Sequence, residues 1–207
     1  DEKVRSFVRQ GGCYITTCWS GEVDESDLTY TGAHPLEDVL GIRTEEIDVP
    51  AGYCENSVRY QDIDHRITGL CGLVHAKGAK VLAEYRNDFY KGYPALTKNV
   101  YGAGEAYYIA SINEGSFLKA LYGEILKEKG LGCGLQVRLT EGVTVNERSG
   151  ETDDSGQTRK IWFLQNFNRG PASVELLACY ENVETGEKMT GKIELPPFAC
   201  VVLTADE

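Results

Sequence analysis

The chain has 207 residues, 42% hydrophobic and 26% charged, the balance of a soluble globular protein with one large domain or two small ones. A chain of this length buries about 70% of its unfolded surface on folding, so it needs no disulfide or metal to hold it together. Net charge is −11, with 14 basic against 20 acidic residues up to residue 130 and 7 against 12 beyond it, and acidity spread so evenly argues against nucleic acid or an anionic membrane as partner.

No apolar run approaches the ~18 residues that span a bilayer. The first ten residues, DEKVRSFVRQ, lack both an initiator Met and the apolar core of a signal peptide, so the chain reads as opening inside a longer polypeptide whose leader is not legible. Seven cysteines, Cys13, Cys18, Cys54, Cys71, Cys133, Cys179 and Cys200, form no C-x-x-C pair. An odd count without that spacing reads as reduced thiols in a cytoplasmic protein.

In chain order, Val4, Phe7 and Val8 share one helical face, and Gly11-Gly12 end the helix before CYITTC, Cys13 to Cys18, a short strand. Helix, Gly-Gly, strand is one step of an α/β sheet, and the missing upstream strands make that sheet look cut open on its N-terminal side. After an acidic loop, Pro35 is placed to begin a short helix, PLEDVL, that Gly41 ends. Segments 42–49 and 56–60 read as short extended pieces. KVLAEYR, PALTKNVY and EAYYIA follow as three strands of a meander. Asn113–Lys129 is the clearest helix, with Phe117, Leu118, Leu121, Ile125 and Leu126 on one face and Gly130 as its stop. Past the hinge-like GLGCG, five alternating segments, GVTVNER, KIWFLQNF, SVELLACY, GKIELP and ACVVLT, predict a small all-β antiparallel sandwich. The expected organisation is therefore an α/β domain over 1–130 and a β-domain over 135–207.

Gly102-Ala103-Gly104 is no dinucleotide fingerprint, because a strand and not a helix follows it and a third glycine is missing. A hairpin turn is expected there. Cys18, at the tip of a strand, is the one candidate nucleophile, but the acidic loop after it would raise a thiol pKa. The three histidines, His34, His65 and His75, lie in no metal or catalytic motif, and Glu22, Asp24, Glu25 and Asp27 lack the glycine and terminal glutamate of a calcium loop. No cofactor or metal is expected.

The runs FVRQGGCYITTCWSGEVDE, HPLEDVLGIRTEEID and KVLAEYRNDFYKGYPALTKNVYGAGEAYYIAS stand in an order that resembles the middle domain of glycoside hydrolase family 42 β-galactosidases. The later strands resemble the same family's C-terminal β-domain more weakly. The resemblance implies three parts: a TIM barrel carrying an acid/base and a nucleophilic glutamate for retaining hydrolysis of terminal β-galactosides, a flavodoxin-like, glutamine-amidotransferase-like domain that forms a homotrimer, and a small β-domain. The barrel would then lie outside this chain. No position here matches the catalytic glutamate motifs, so no catalytic residue carries over.

The expected role is a non-catalytic assembly piece that associates with copies of itself and with the barrel of its own polypeptide. Two other classes stand beside it. A carbohydrate-binding module would use stacking aromatics, with Trp19, Tyr30, Phe89, Tyr90, Tyr93 and Trp162 as candidates. An amidotransferase-like hydrolase would use Cys18. For docking, the long loop 19–34 and the aromatic turn 85–94 are the expected surfaces, with Trp19, Tyr30, Phe89, Tyr90 and Tyr93 as interface or sugar contacts.

Overall fold

The computed structural model describes residues 1–24, 26, 28, 35–51, 55–132, 134–152 and 158–205. The chain divides into two compact units, Asp1–Ile125 and Leu126–Glu207.

The first unit opens with helix α1 (Glu2–Arg9) and strand β1 (Cys13–Thr17). After α2 (Glu37–Leu40) come β2 (Ile42–Asp48), β3 (Ser57–Tyr60), β4 (Ile63–Ala76), β5 (Lys80–Tyr85), β6 (Pro94–Tyr101), β7 (Gly104–Ile109) and β8 (Ser111–Asn113). Helix α3 (Gly115–Glu128) follows. The strands form one sheet in the order β1-β7-β6-β5-β3-β4-β2, with β8 on β4. Among the described residues only β1 and β7 are parallel. The α/β expectation therefore holds for a single step, and the rest of this sheet is antiparallel. The physical reason is local: β5, β6 and β7 are joined by short turns, and a tight turn can only return the chain antiparallel.

Two glycines fix that one parallel step. The hairpin from β6 to β7 pairs Tyr101 with Gly104 across Gly102 and Ala103, so the glycine pair is a turn, as its sequence context suggested. Gly102 takes the left-handed backbone of the turn (φ +65°), and both glycines also leave room for close packing. A β-carbon on Gly104 would fall 2.1 Å from the Val8 carbonyl oxygen and 2.3 Å from that of Gly12. One on Gly102 would fall 2.7 Å from the Arg9 Cα. In the space left free, the Ala103 N–H donates to Arg9 O (3.0 Å) and the Glu105 N–H to Gly12 O (3.1 Å). The helix-to-strand turn thus lies directly on the hairpin, and β1 leaves it in register with β7.

The core of this unit gathers Val39, Leu40, Ile42, Val58, Leu96, Ile109, Phe117 and Leu121, all essentially inaccessible to solvent. Tyr85 is the buried polar tie: its hydroxyl donates to Ala110 O (2.8 Å) and lies 3.0 Å from Gly72 O. Helix α3 begins two residues later than the sequence pattern predicts and buries Phe117, Leu121 and Ile125 from the expected face, whereas Leu126 is exposed. The 14-residue β4 is absent from the sequence reading. Its first half pairs with β3 and its second with β2, so its burial pattern switches midway and shows no single period.

In the second unit Gly130 (φ +63°) ends α3, the Leu131 N–H donating to Leu126 O (2.8 Å). Among the described residues six strands follow: β9 (Val137–Arg138), β10 (Val143–Thr152), β11 (Thr158–Asn166), β12 (Ala172–Asn182), β13 (Lys188–Leu195) and β14 (Cys200–Ala205). Among the described residues they are hydrogen-bonded into one antiparallel sheet, β10-β11-β14-β12-β13 with β9 on β12. A register shift within β12 between Leu176 and Tyr180 allows this. Residues before the shift pair with β9 and those after it with β14, so β12 changes partner partway along its length.

Trp162, Leu164, Leu195 and Leu203 form the centre of this unit. The Trp162 indole N–H donates to Glu147 Oε2 (2.9 Å), and its ring meets Tyr180 edge-on at 5.6 Å. Glu147 also accepts the Gly134 N–H (2.9 Å) and pairs with Lys160 at 2.8 Å. Together Lys160, Gly134 and Trp162 hold the Glu147 carboxyl down at about 2.

Gly104→Ala is expected to lower unfolding free energy by about 3 kcal/mol, because backbone must move apart to admit the methyl group. Gly123→Ala, in helix α3 with open space around it, is expected to raise it by about 1 kcal/mol. Urea titrations of both variants check the pair. Since the folded-state pKa of Glu147 is depressed, its stabilisation is complete above the ordinary carboxylate range and is lost as pH falls through about 2. Glu147→Gln is therefore expected to lower the melting midpoint at pH 7 but to match the unaltered chain near pH 2. A difference that persists undiminished in acid contradicts this.

Candidate assembly surface

Strand β1 ends where the Cys18 N–H donates to Ile109 O (2.7 Å), and the chain then turns sharply, the Ser20 N–H donating to Thr17 O (3.1 Å). Trp19 is the third residue of this turn, at φ +76°. Glycine is the residue suited to that backbone region, and a side chain there costs about 1–2 kcal/mol. Despite this the indole is 58% exposed, so burial of the ring within this unit does not compensate the strain.

Trp19, Glu22 and Val23 form one wall of a cleft of about 350 Å³, and Thr44, Glu45, Glu46 and Ile47 of strand β2 form the other. Strand β2 carries a bulge between Thr44 and Glu46. A bulge sets two residues against one on the partner strand and re-aims side chains, and here the consecutive glutamates both line the cleft. Glu45 is tied to His75, Oε2 to Nε2 at 2.5 Å, and the His75 ring leans on Tyr93 at 5.5 Å.

A convex feature follows strand β5. Between Tyr85 and Tyr93 the chain makes a tight loop: the Lys91 N–H donates to Asp88 O (3.1 Å), the Gly92 N–H to Tyr85 O (2.9 Å) and the Tyr93 N–H to Tyr90 O (2.9 Å). Asp88 (φ +70°) accepts the Phe89 N–H on its own side chain (2.8 Å). Phe89 projects, 71% exposed, with its ring edge-on to Tyr90 at 4.8 Å. Lys91 is exposed beside it.

The expected contact residues are therefore split. Trp19 and Phe89 are exposed, and Tyr93 is partly buried against His75. Tyr30 lies outside the described residues, as do Glu25, Asp27, His34, Cys54 and Cys133. Tyr90 is completely buried, its hydroxyl donating to Asp48 Oδ2 (3.1 Å), so it supports the loop from beneath and is no surface contact. Trp162 is likewise a core residue. Sequence reasoning missed Glu45, Glu46 and His75. The adjacent glutamates inside an otherwise alternating segment were the available sign of a bulge.

Catalytic arrangements find little support. Cys18 is buried, and its thiol is pushed up to about 11, first by burial and then by Cys71 and Glu22. A buried thiol with a raised pKa is poorly suited to act as a thiolate nucleophile, which argues against the amidotransferase-like reading. His65, Ser116 and Glu114 superficially form a triad. However, His65 Nδ1 meets Ser116 Oγ (3.0 Å), that hydroxyl donates to Glu114 (2.8 Å), and His65 Nε2 is buried without a partner. A proton relay uses opposite ring nitrogens, so this trio only fixes the start of α3. Asp24 spends its carboxylate on the Ser26 and Leu28 N–H groups. Among the described residues no three His, Cys, Asp or Glu side chains converge as metal ligands would.

Residues 1–132 match the family model described as the β-galactosidase trimerisation domain. Among curated relatives, β-galactosidase Pbg of Clostridium perfringens is 35% identical over 95% of this chain, and β-galactosidase BgaP of Planococcus sp. strain L4 is 36% identical over 97%. The chain spans only 29% and 30% of their respective lengths. Among solved structures, a catalytic mutant of Gan42B, a family 42 β-galactosidase from G. stearothermophilus, matches 100% of the chain at a TM-score of 0.88 and 30% identity. The β-galactosidase of Rahnella sp. R3 matches 98% at 0.84 and 37%. The chain covers 30% of each. By the match over residues 1–132, the chain belongs to the β-galactosidase trimerisation-domain family.

Proposed function

We propose that this chain is the non-catalytic assembly portion of a β-galactosidase, holding copies of the protein together as a homotrimer while a TIM barrel elsewhere in the parent polypeptide hydrolyses terminal β-galactosides with retention. The family match over residues 1–132 carries this reading. Its physical support is that the exposed aromatics Trp19 and Phe89 sit on ordered, strained turns, whereas the candidate nucleophile is buried and protonated. Backbone strain is maintained where function demands it, and here the demand is for surface shape.

The α1–β1 step, parallel to β7, is read as the remnant of a flavodoxin-like sheet, with domains at 1–130 and 135–207. Its seven cysteines without a C-x-x-C pair support a cytoplasmic setting, and among the described residues no helix is long and apolar enough to cross a membrane. The carbohydrate-binding alternative has lost Tyr90 and Trp162 to the interior.

Sedimentation equilibrium of the 207-residue chain tests the proposal. The expected result is a species of three times the monomer mass, and a monomer at all concentrations overturns it. The same preparation is expected to leave a nitrophenyl β-galactoside intact, and turnover that survives repurification overturns the non-catalytic assignment. Titration with methyl β-galactoside is expected to leave tryptophan fluorescence unchanged.

A further inference from the structure

The assembly reading leaves open which surfaces meet. A closed ring of three identical chains cannot use a self-complementary patch. Its contacts are heterologous, so one surface of each copy meets a different surface of the next. The first unit offers such a pair of shapes, a cleft between Trp19 and strand β2 and a projecting loop at Asp88–Gly92.

Their chemistry is complementary as well. Glu22, Glu45 and Glu46 bring three carboxylates to the cleft, and Trp19 presents an exposed aromatic face beside them. An indole face and carboxylates together favour a cationic side chain. Glu45 is hydrogen-bonded to His75, while Glu46 is exposed on the bulge. In a chain of net charge −11, two copies repel on average unless a local cation meets an acidic surface. The loop supplies one. Lys91 stands beside the 71% exposed Phe89, and the nearby Asp88 carboxylate accepts the Phe89 N–H. The loop is braced by its own hydrogen bonds and by buried Tyr90, so little ordering entropy is lost when it docks.

We infer that the Phe89–Lys91 loop of one copy enters the Trp19 cleft of the next, with Lys91 set against Glu46 and Phe89 against the indole. This rests on the assembly reading, and the following measurements separate the two. Glu46→Lys and Lys91→Glu are each expected to weaken association of the 207-residue chain by about tenfold or more. The double variant restores opposite charge and is expected to return to within about threefold of the unaltered chain. Both positions are exposed, and circular dichroism verifies that each variant is folded. Trp19→Gly separates docking from folding: it relieves the backbone strain, so the melting midpoint is expected to hold or rise while association weakens about tenfold.

If the unaltered chain forms a trimer but the single charge variants leave it intact, or the double variant stays dissociated, this pairing is wrong and the assembly role stands. If the unaltered chain never associates, the assembly role falls and the pairing with it. Carbodiimide coupling of mixed isotopically labelled and unlabelled copies gives a direct check. A Glu46–Lys91 amide bridging the two labels supports the pairing, and such an amide found only within one label overturns it.

Discussion

The absence of a side chain at Gly104 is the constraint on which the first unit depends. It lets the carbonyls of Val8 and Gly12 approach the start of β7, so that β1 can join β7 as the one parallel pair. The direction of β1 in turn decides where the chain emerges after Thr17, and hence where the strained turn holds Trp19. A surface feature at one end of β1 is thus set by a backbone contact at the other. Hydrogen bonds confirm the path: Ala103 to Arg9 and Glu105 to Gly12 at the start, Cys18 to Ile109 at the finish.

Two non-glycine residues hold left-handed backbone at the two exposed aromatic features, Trp19 in its turn and Asp88 in the loop before Phe89. Each conformation is unfavourable in isolation and is maintained by surrounding structure. The interior shows the opposite economy. Tyr85 and Tyr90 place their hydroxyls on carbonyl or carboxylate partners, and burial raises the thiols of Cys18 and Cys71 to about 11. Burial thus disfavours ionisation of these two thiols, while buried Tyr90 lies beneath the protruding Phe89 ring. That distribution suits a protein whose task is to fit another surface.

Much of this was legible in the sequence because the relevant forces are local. The first helix, the glycine stop and the strand after it follow from spacing alone, as do the meander and the five later strands. What was not legible depends on distant partners. Strand β4 pairs with three different strands along its length, and no periodicity encodes a change of partner. The single sheet of the second unit rests on a register shift in β12, which alternating hydrophobicity does not reveal. At the surface, Trp19 and Phe89 stood out as aromatic residues in irregular segments, and both are exposed. Tyr90, one residue from Phe89, is buried because the loop closes over it, a distinction that composition cannot make. The glutamates of the cleft were overlooked for a related reason: their adjacency hinted at a bulge, but only the pairing of β2 with β4 shows that both line one cleft.

The central claim is that the first unit, through the Trp19 turn and the Phe89 loop, holds copies of this chain together. Hydrogen–deuterium exchange on concentrated and on highly diluted samples tests it directly. Amides of residues 17–20 and 88–92 are expected to exchange at least about tenfold more slowly in the concentrated sample. Unchanged exchange in both segments, with slowing confined to Leu126–Glu207, contradicts it.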